Sequence, residues 1–159
     1  MFEQAVEANP LSPGLRSDYA SFLLWDGRYE EAMENNALVR KLGSTSFEHA
    51  AVWLNRSIVA LAEGNNAEAL DAINRAMFIS QNIYHTPTAV AVLYVAGEQA
   101  AAARLFNEMR QSYPELSPRN PLLYTFLKPI DDILARQREL GEVDGPADVD
   151  EIYRLLSQN

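Results

Sequence analysis

Two histidines, His49 and His85, and the adjacent acids Asp131-Asp132 are the places in this 159-residue chain to look first for metal or acid–base chemistry. A histidine on a helix needs a second ligand at i+3 or i+4 to hold a metal, and neither has one: Val52 and Trp53 follow His49, Thr88 and Ala89 follow His85. Structural or surface roles are expected for both. A carboxylate pair working as acid and base must face one reacting group, yet neighbours on a helix point about 100° apart. Acids just after Pro129 suit a helix N-terminus instead, where they offset the dipole. The chain has no Cys, which removes disulfides, thiolate metal sites and Cys nucleophiles together. It also lacks a glycine-rich phosphate loop, a Walker lysine and a Gly-x-Ser-x-Gly elbow. No enzyme is expected, with no catalytic residues, no cofactor and no metal.

The bulk composition is that of a globular chain. Hydrophobic residues at 48% and charged residues at 22% are a globular balance, and the length fits one domain. A net charge of −9 makes nucleic acid a poor partner, since phosphate binding needs clustered Lys and Arg. From Pro129 onward eight acids face three arginines, so much of the excess is carried by the C-terminal part as a solvated surface. No apolar run approaches the roughly 20 residues of a membrane helix, and Met1-Phe2-Glu3-Gln4-Ala5 has neither the basic start nor the apolar core of a secretory signal. A cytoplasmic protein is expected, or an excised soluble domain, for which the periplasm stays open.

These features have to be carried by helices. Gly27-Arg28-Tyr29-Glu30-Glu31-Ala32 is echoed by Gly64-Asn65-Asn66-Ala67-Glu68-Ala69 and by Gly97-Glu98-Gln99-Ala100-Ala101-Ala102. Each copy follows one helix-like apolar run and precedes another, so the glycine marks a tight helix-to-helix turn and the alanine a close helix contact. The first hairpin pairs a run starting at Ser12-Pro13, with Leu15, Tyr19, Phe22, Leu23 and Trp25, with one from Tyr29 to about Leu42. Thr45-x-x-Glu48 has capping-box spacing before Ala51, Trp53, Leu54, Ile58 and Leu61; Asn65-x-x-Glu68 opens the return helix. Thr86-Pro87 starts the third hairpin, closed by Tyr113-Pro114. A short helix from Phe2 to Ala8 precedes all of this. After it, Asn120-Pro121 opens a helix that Pro129 should kink or break, a second helix should run to about Leu140, and Asp148-x-x-Glu151 should cap a last helix folding back as a lid.

The glycines are 37 and 33 residues apart, which brackets the period of about 34 of tetratricopeptide (TPR) hairpins. The chain resembles that family over Met1 to Pro114: Gly27, Gly64 and Gly97 fall at the turn glycine, Ala32, Ala69 and Ala102 at the small residue, Ile73 and Phe106 at the large apolar position, Trp53 at the aromatic position, and Pro10 and Pro114 at the closing proline. It departs where Arg56 replaces an apolar residue, Asn36 an aromatic, and Ser44 and Gln81 the proline. In the family's frame Met1 enters within a second helix, so the chain reads as a fragment. Arrays of this type with extra helices look like the C-terminal parts of some bacterial transcription regulators and nucleotide cyclases; small acidic TPR secretion chaperones are another similar group.

The resemblance implies an all-α solenoid of about three hairpins, preceded by half a repeat, with residues 1–116 as repeats and 117–159 as capping helices of the same domain. It implies a protein-interaction or assembly module, with a regulatory or oligomerisation segment as the alternative. In such arrays the first helices line a concave face, which here assigns Ser17, Ser21, Leu24, Trp25, Leu54, Asn55, Ile58, Leu61, Thr88, Ala91 and Tyr94 to a groove for a peptide or partner helix. The competing expectation is that the C-terminal helices occupy it. Without a Lys on that face, no clamp for a peptide carboxylate is expected. The half-repeat should leave Phe2, Ala5 and Val6 partly uncovered, to be covered either by residues upstream of Met1 or by a second copy, and a homodimer through that helix is the expectation.

Overall fold

A computed structural model describes residues 1–115, 121–141 and 145–158, with 121–125 as backbone only. Among the described residues the fold is all-helical, in the order α1 (Phe2–Ala8), α2 (Pro13–Trp25), α3 (Tyr29–Leu42), α4 (Ser46–Ala62), α5 (Asn66–Ile79), α6 (Thr86–Val95), α7 (Gln99–Ser112), α8 (Pro121–Glu139) and α9 (Val149–Leu156).

The three hairpins turn on one repeated device. At the end of α2 the amide of Gly27 donates to Leu24 O at 3.1 Å and that of Arg28 to Leu23 O at 2.8 Å. Gly64 and Asn65 make the same two bonds to Leu61 and Ala60, and Gly97 and Glu98 to Tyr94 and Leu93. This Schellman closure requires a left-handed residue, and the glycines supply it at φ of 79°, 73° and 99°. The helices then meet closely over Ala32, Ala69 and Ala102, each fully buried.

The helix starts are chemically fixed as well. Thr45 and Glu48 form a reciprocal capping box. Asn65 accepts from the Glu68 amide at 3.2 Å, but Glu68 bonds Arg56 Nε at 2.7 Å rather than returning to the backbone. Arg56 is thereby held at the hairpin by a carboxylate. Asn36 is buried; it donates to Val52 O at 3.4 Å and accepts from Asn55 Nδ2 at 3.2 Å, tying α3 to α4.

Each hairpin touches the next through its second helix and its first: α3 meets α4, α2 meets α4, α5 meets α6 and α4 meets α6. Helix α1 packs on α2, as a preceding second helix would, and α9 packs on α6, α7 and α8. One expectation changes here. Pro129 lies inside one helix, α8, rather than between two; a proline removes a single amide donor, and its buried ring is held by the packing around it. Of the three apolar residues of α1, Val6 is buried and Phe2 and Ala5 are half-buried; the Phe2 ring lies 5.3 Å from Phe22 and 6.4 Å from Tyr19, and the exposed positions of the helix are Glu3, Gln4, Glu7 and Ala8.

Candidate functional site

The face shared by α2, α4 and α6 is where the eleven groove residues fall. Eight are buried: Ser17, Leu24, Leu54, Asn55, Ile58, Leu61, Thr88 and Ala91. Ser21, Trp25 and Tyr94 are half-buried. Ser21 donates its hydroxyl to Ser17 O at 3.2 Å, and Asn55 turns toward Asn36 of α3 rather than into the groove.

Helix α8 lies on this face. Among the described residues it touches α2, α4, α6 and α9 and none of the second helices of the hairpins. Its inner stripe is Leu127, Ile130, Ile133 and Leu134, between 0% and 5% exposed, at the i, i+3, i+6, i+7 spacing of one helix side. Asp132, Ala135, Arg136 and Arg138 face outward. Burying each stripe residue contributes about 1.5–3 kcal/mol. A single cation over an aromatic ring contributes about 0.5–2 kcal/mol. Affinity for the face therefore resides in the stripe, and polar contacts set the register.

The polar contacts come from Lys128 and Asp131, within one turn of each other on α8. Lys128 Nζ donates to Trp25 O at 3.4 Å, lies 5.0 Å from the Trp25 ring centre, and pairs with Asp132. Asp131 Oδ1 accepts from the Val149 amide at 2.8 Å, so it does sit at a helix N-terminus, that of α9 and not its own. Burial raises the Asp131 carboxyl above its ordinary range, against the lowering effect of that amide. The adjacent acids thus point apart, one to α9 and one to Lys128. Burial also raises the Tyr29 hydroxyl, with Asp132 adding to the rise. An opening of about 280 Å³ remains beside α8, lined among others by Tyr29, Leu61, Glu63, Asp132 and Arg136.

Neither histidine joins this face in a way that suggests chemistry. His49 is exposed on α4; His85 is buried, its ring 4.5 Å from that of Phe47. Asn82 Oδ1 accepts from the amides of Tyr84 and His85 at 2.9 Å, which leaves the Asn82 amide nitrogen to donate to His85 Nδ1, also at 2.9 Å. Among the described residues no group of three or more His, Asp or Glu is placed to hold a metal ion, and no helix is long and apolar enough to cross a membrane.

What the sequence reading did not single out is the α8 stripe with Lys128. Its signal was present as apolar residues three and four apart from Leu127 to Leu134, and it was hidden by treating Pro129 as the end of an element. Comparison with protein-family models, with curated proteins and with solved structures finds no match.

Proposed function

We propose that the chain is a TPR-like α-solenoid that acts as a protein-interaction module, and that the face of α2, α4 and α6 takes an amphipathic helix. The observation that carries this is α8 itself: a helix with one apolar stripe, seated across the first helix of every hairpin. Helix-in-groove recognition reads apolar anchors at such spacings. The eleven face residues along α2, α4 and α6 are uncharged, four of them polar (Ser17, Ser21, Asn55 and Thr88), so selection of the bound helix rests on shape and on polar contacts. A partner helix competes with α8 for the same surface, so the chain exists in a closed form with α8 seated and an open form with the partner in its place. A regulatory segment of a larger bacterial protein is the second reading, and the internal occupant favours it, since exchange of α8 for a partner is a switch.

The test uses the full chain. In Ile130→Asp/Ile133→Asp the internal helix loses the centre of its stripe, and a labelled peptide of residues 121–140 is expected to bind this variant at micromolar concentration by fluorescence anisotropy. The unsubstituted chain, its groove filled, binds the same peptide at least tenfold more weakly. Absence of binding to a variant whose helical circular dichroism is otherwise retained refutes the proposal.

A further inference from the structure

We infer that Trp25 is a cation subsite of this groove, and that the partner is an amphipathic helix carrying Lys or Arg one residue after the apolar anchor that takes the place of Leu127. The inference rests on the groove reading above and adds to it the chemistry of the partner.

The site is assembled from the N-terminal part of the chain. Trp25 is the last residue of α2, so its carbonyl belongs to the terminal set that the helix leaves unpaired and that carries the negative end of the dipole. Its ring is held by a file of aromatic side chains. Phe22 stacks on Trp25 at 6.1 Å and 19° between planes, Phe2 from α1 lies 5.3 Å from Phe22, and Tyr19 lies 6.4 Å from Phe2. Tyr19 in turn donates to Glu3 at 3.2 Å, and Arg28 joins Glu3 at 3.3 Å, which fixes α1 against α2 and its closing turn. A half-buried indole face and an unpaired carbonyl therefore converge on one point.

Both attract a cation, the ring through its quadrupole and the carbonyl through its lone pairs. Lys128 occupies that point in the closed form, its side chain 26% exposed and its ammonium 5.0 Å from the ring centre. Leu127 precedes it in the stripe, and Ile130, Ile133 and Leu134 follow. A helix laid in the same direction with the same stripe puts the residue after the anchor at the Leu127 place over Trp25. A neutral side chain there leaves the carbonyl to water, and a carboxylate meets both the ring face and the carbonyl with like sign. The stripe holds the helix, and Trp25 selects its register and direction.

The experiment titrates four peptides of residues 121–140, carrying Lys, Arg, Gln or Glu at position 128, into the full chain bearing Lys128→Gln with Ile130→Asp/Ile133→Asp. The Lys and Arg peptides are expected to bind about tenfold more tightly than the Gln peptide, and the Glu peptide most weakly. Adding Trp25→Leu to the chain should erase that ranking while the Gln peptide keeps its affinity. Equal binding of all four peptides overturns the subsite and leaves the groove reading standing. No binding of any peptide overturns both. If the receptor variant loses its helical spectrum, a double-mutant cycle of Lys128→Gln and Trp25→Leu in the otherwise unchanged chain decides: coupled losses of stability support the subsite, and additive losses refute it.

Discussion

His85 is the residue whose chemistry the fold alters most legibly. Because the Asn82 amide donates to Nδ1, the neutral ring carries its proton on Nε2, and that nitrogen is buried without a partner among the described residues. Protonating Nδ1 would set two donors against each other in an apolar site, and burial lowers the His85 pKa to about 4 from 6.5. The unfolded chain binds this proton near pH 6.5 and the folded chain only near 4, so between those values the unfolded state holds more protons. Stability is therefore expected to fall as pH drops through that window and to level off below it, by about 3 kcal/mol for the full difference. Asp18 and Asp131, both raised by burial, act in the opposite sense, as folded carboxyls that take up protons early. Comparing urea unfolding of the native chain with His85→Leu isolates the histidine: the native chain should lose about 2–3 kcal/mol more than the variant between pH 7 and pH 4. Parallel pH curves for the two would show that His85 titrates normally.

At the scale of elements, the hairpins were legible because each rests on a local steric need. A glycine is required where φ is positive, an alanine where two helices nearly touch, and Thr45 with Glu48 where four amides lack partners. Those needs are written in three to six adjacent residues. That C-terminal helices could occupy the groove was one of two expectations, and α8 does lie there, but its unbroken course was not legible, because its seat is made by α2, α4 and α6, far apart in the chain, and because Pro129 argued locally for a break. Tertiary packing outweighed that local preference. In the helix the Thr125 carbonyl loses the amide it would otherwise meet at position 129. Pro129→Ala restores that donor, and since proline costs about 3 kcal/mol relative to alanine in a helix interior, the substitution is expected to raise stability by about 1–3 kcal/mol after loss of the buried ring. The denaturation midpoint checks this, and a lower midpoint would mean that the proline ring is worth more to the groove than the missing hydrogen bond costs. The same reasoning explains Asp131: its role at α9 depends on where a helix eighteen residues later is placed, which no local pattern records.

Over the whole molecule the contacts fall into two kinds. Those among α1 to α7 run within hairpins and between successive ones, and helices arranged in that way lose their units piecemeal, since each is supported by its neighbours alone. Helix α8 crosses this order. It touches the first helix of the first, second and third hairpins at once, and through Asp131 and α9 it is tied to the closing end of the stack, where Tyr153 donates its buried hydroxyl to Pro87 O at 2.5 Å. A linear array bridged in this way should unfold as one unit, because releasing any hairpin uncovers part of the α8 stripe as well. The chain carries its own reporters for that: Trp25 lies in the first hairpin, Trp53 in the second, and far-ultraviolet circular dichroism averages over all helices. In Trp53→Phe and Trp25→Phe backgrounds, the fluorescence and dichroism transitions in urea are expected to coincide. In the same backgrounds with Ile130→Asp, the bridge is weakened, and the transition seen by Trp25 should separate from that seen by Trp53 while the dichroism curve broadens between them. Coincident transitions in the Ile130→Asp chains would mean that contacts between hairpins alone carry the cooperativity, and that α8 rests on the stack without binding it together.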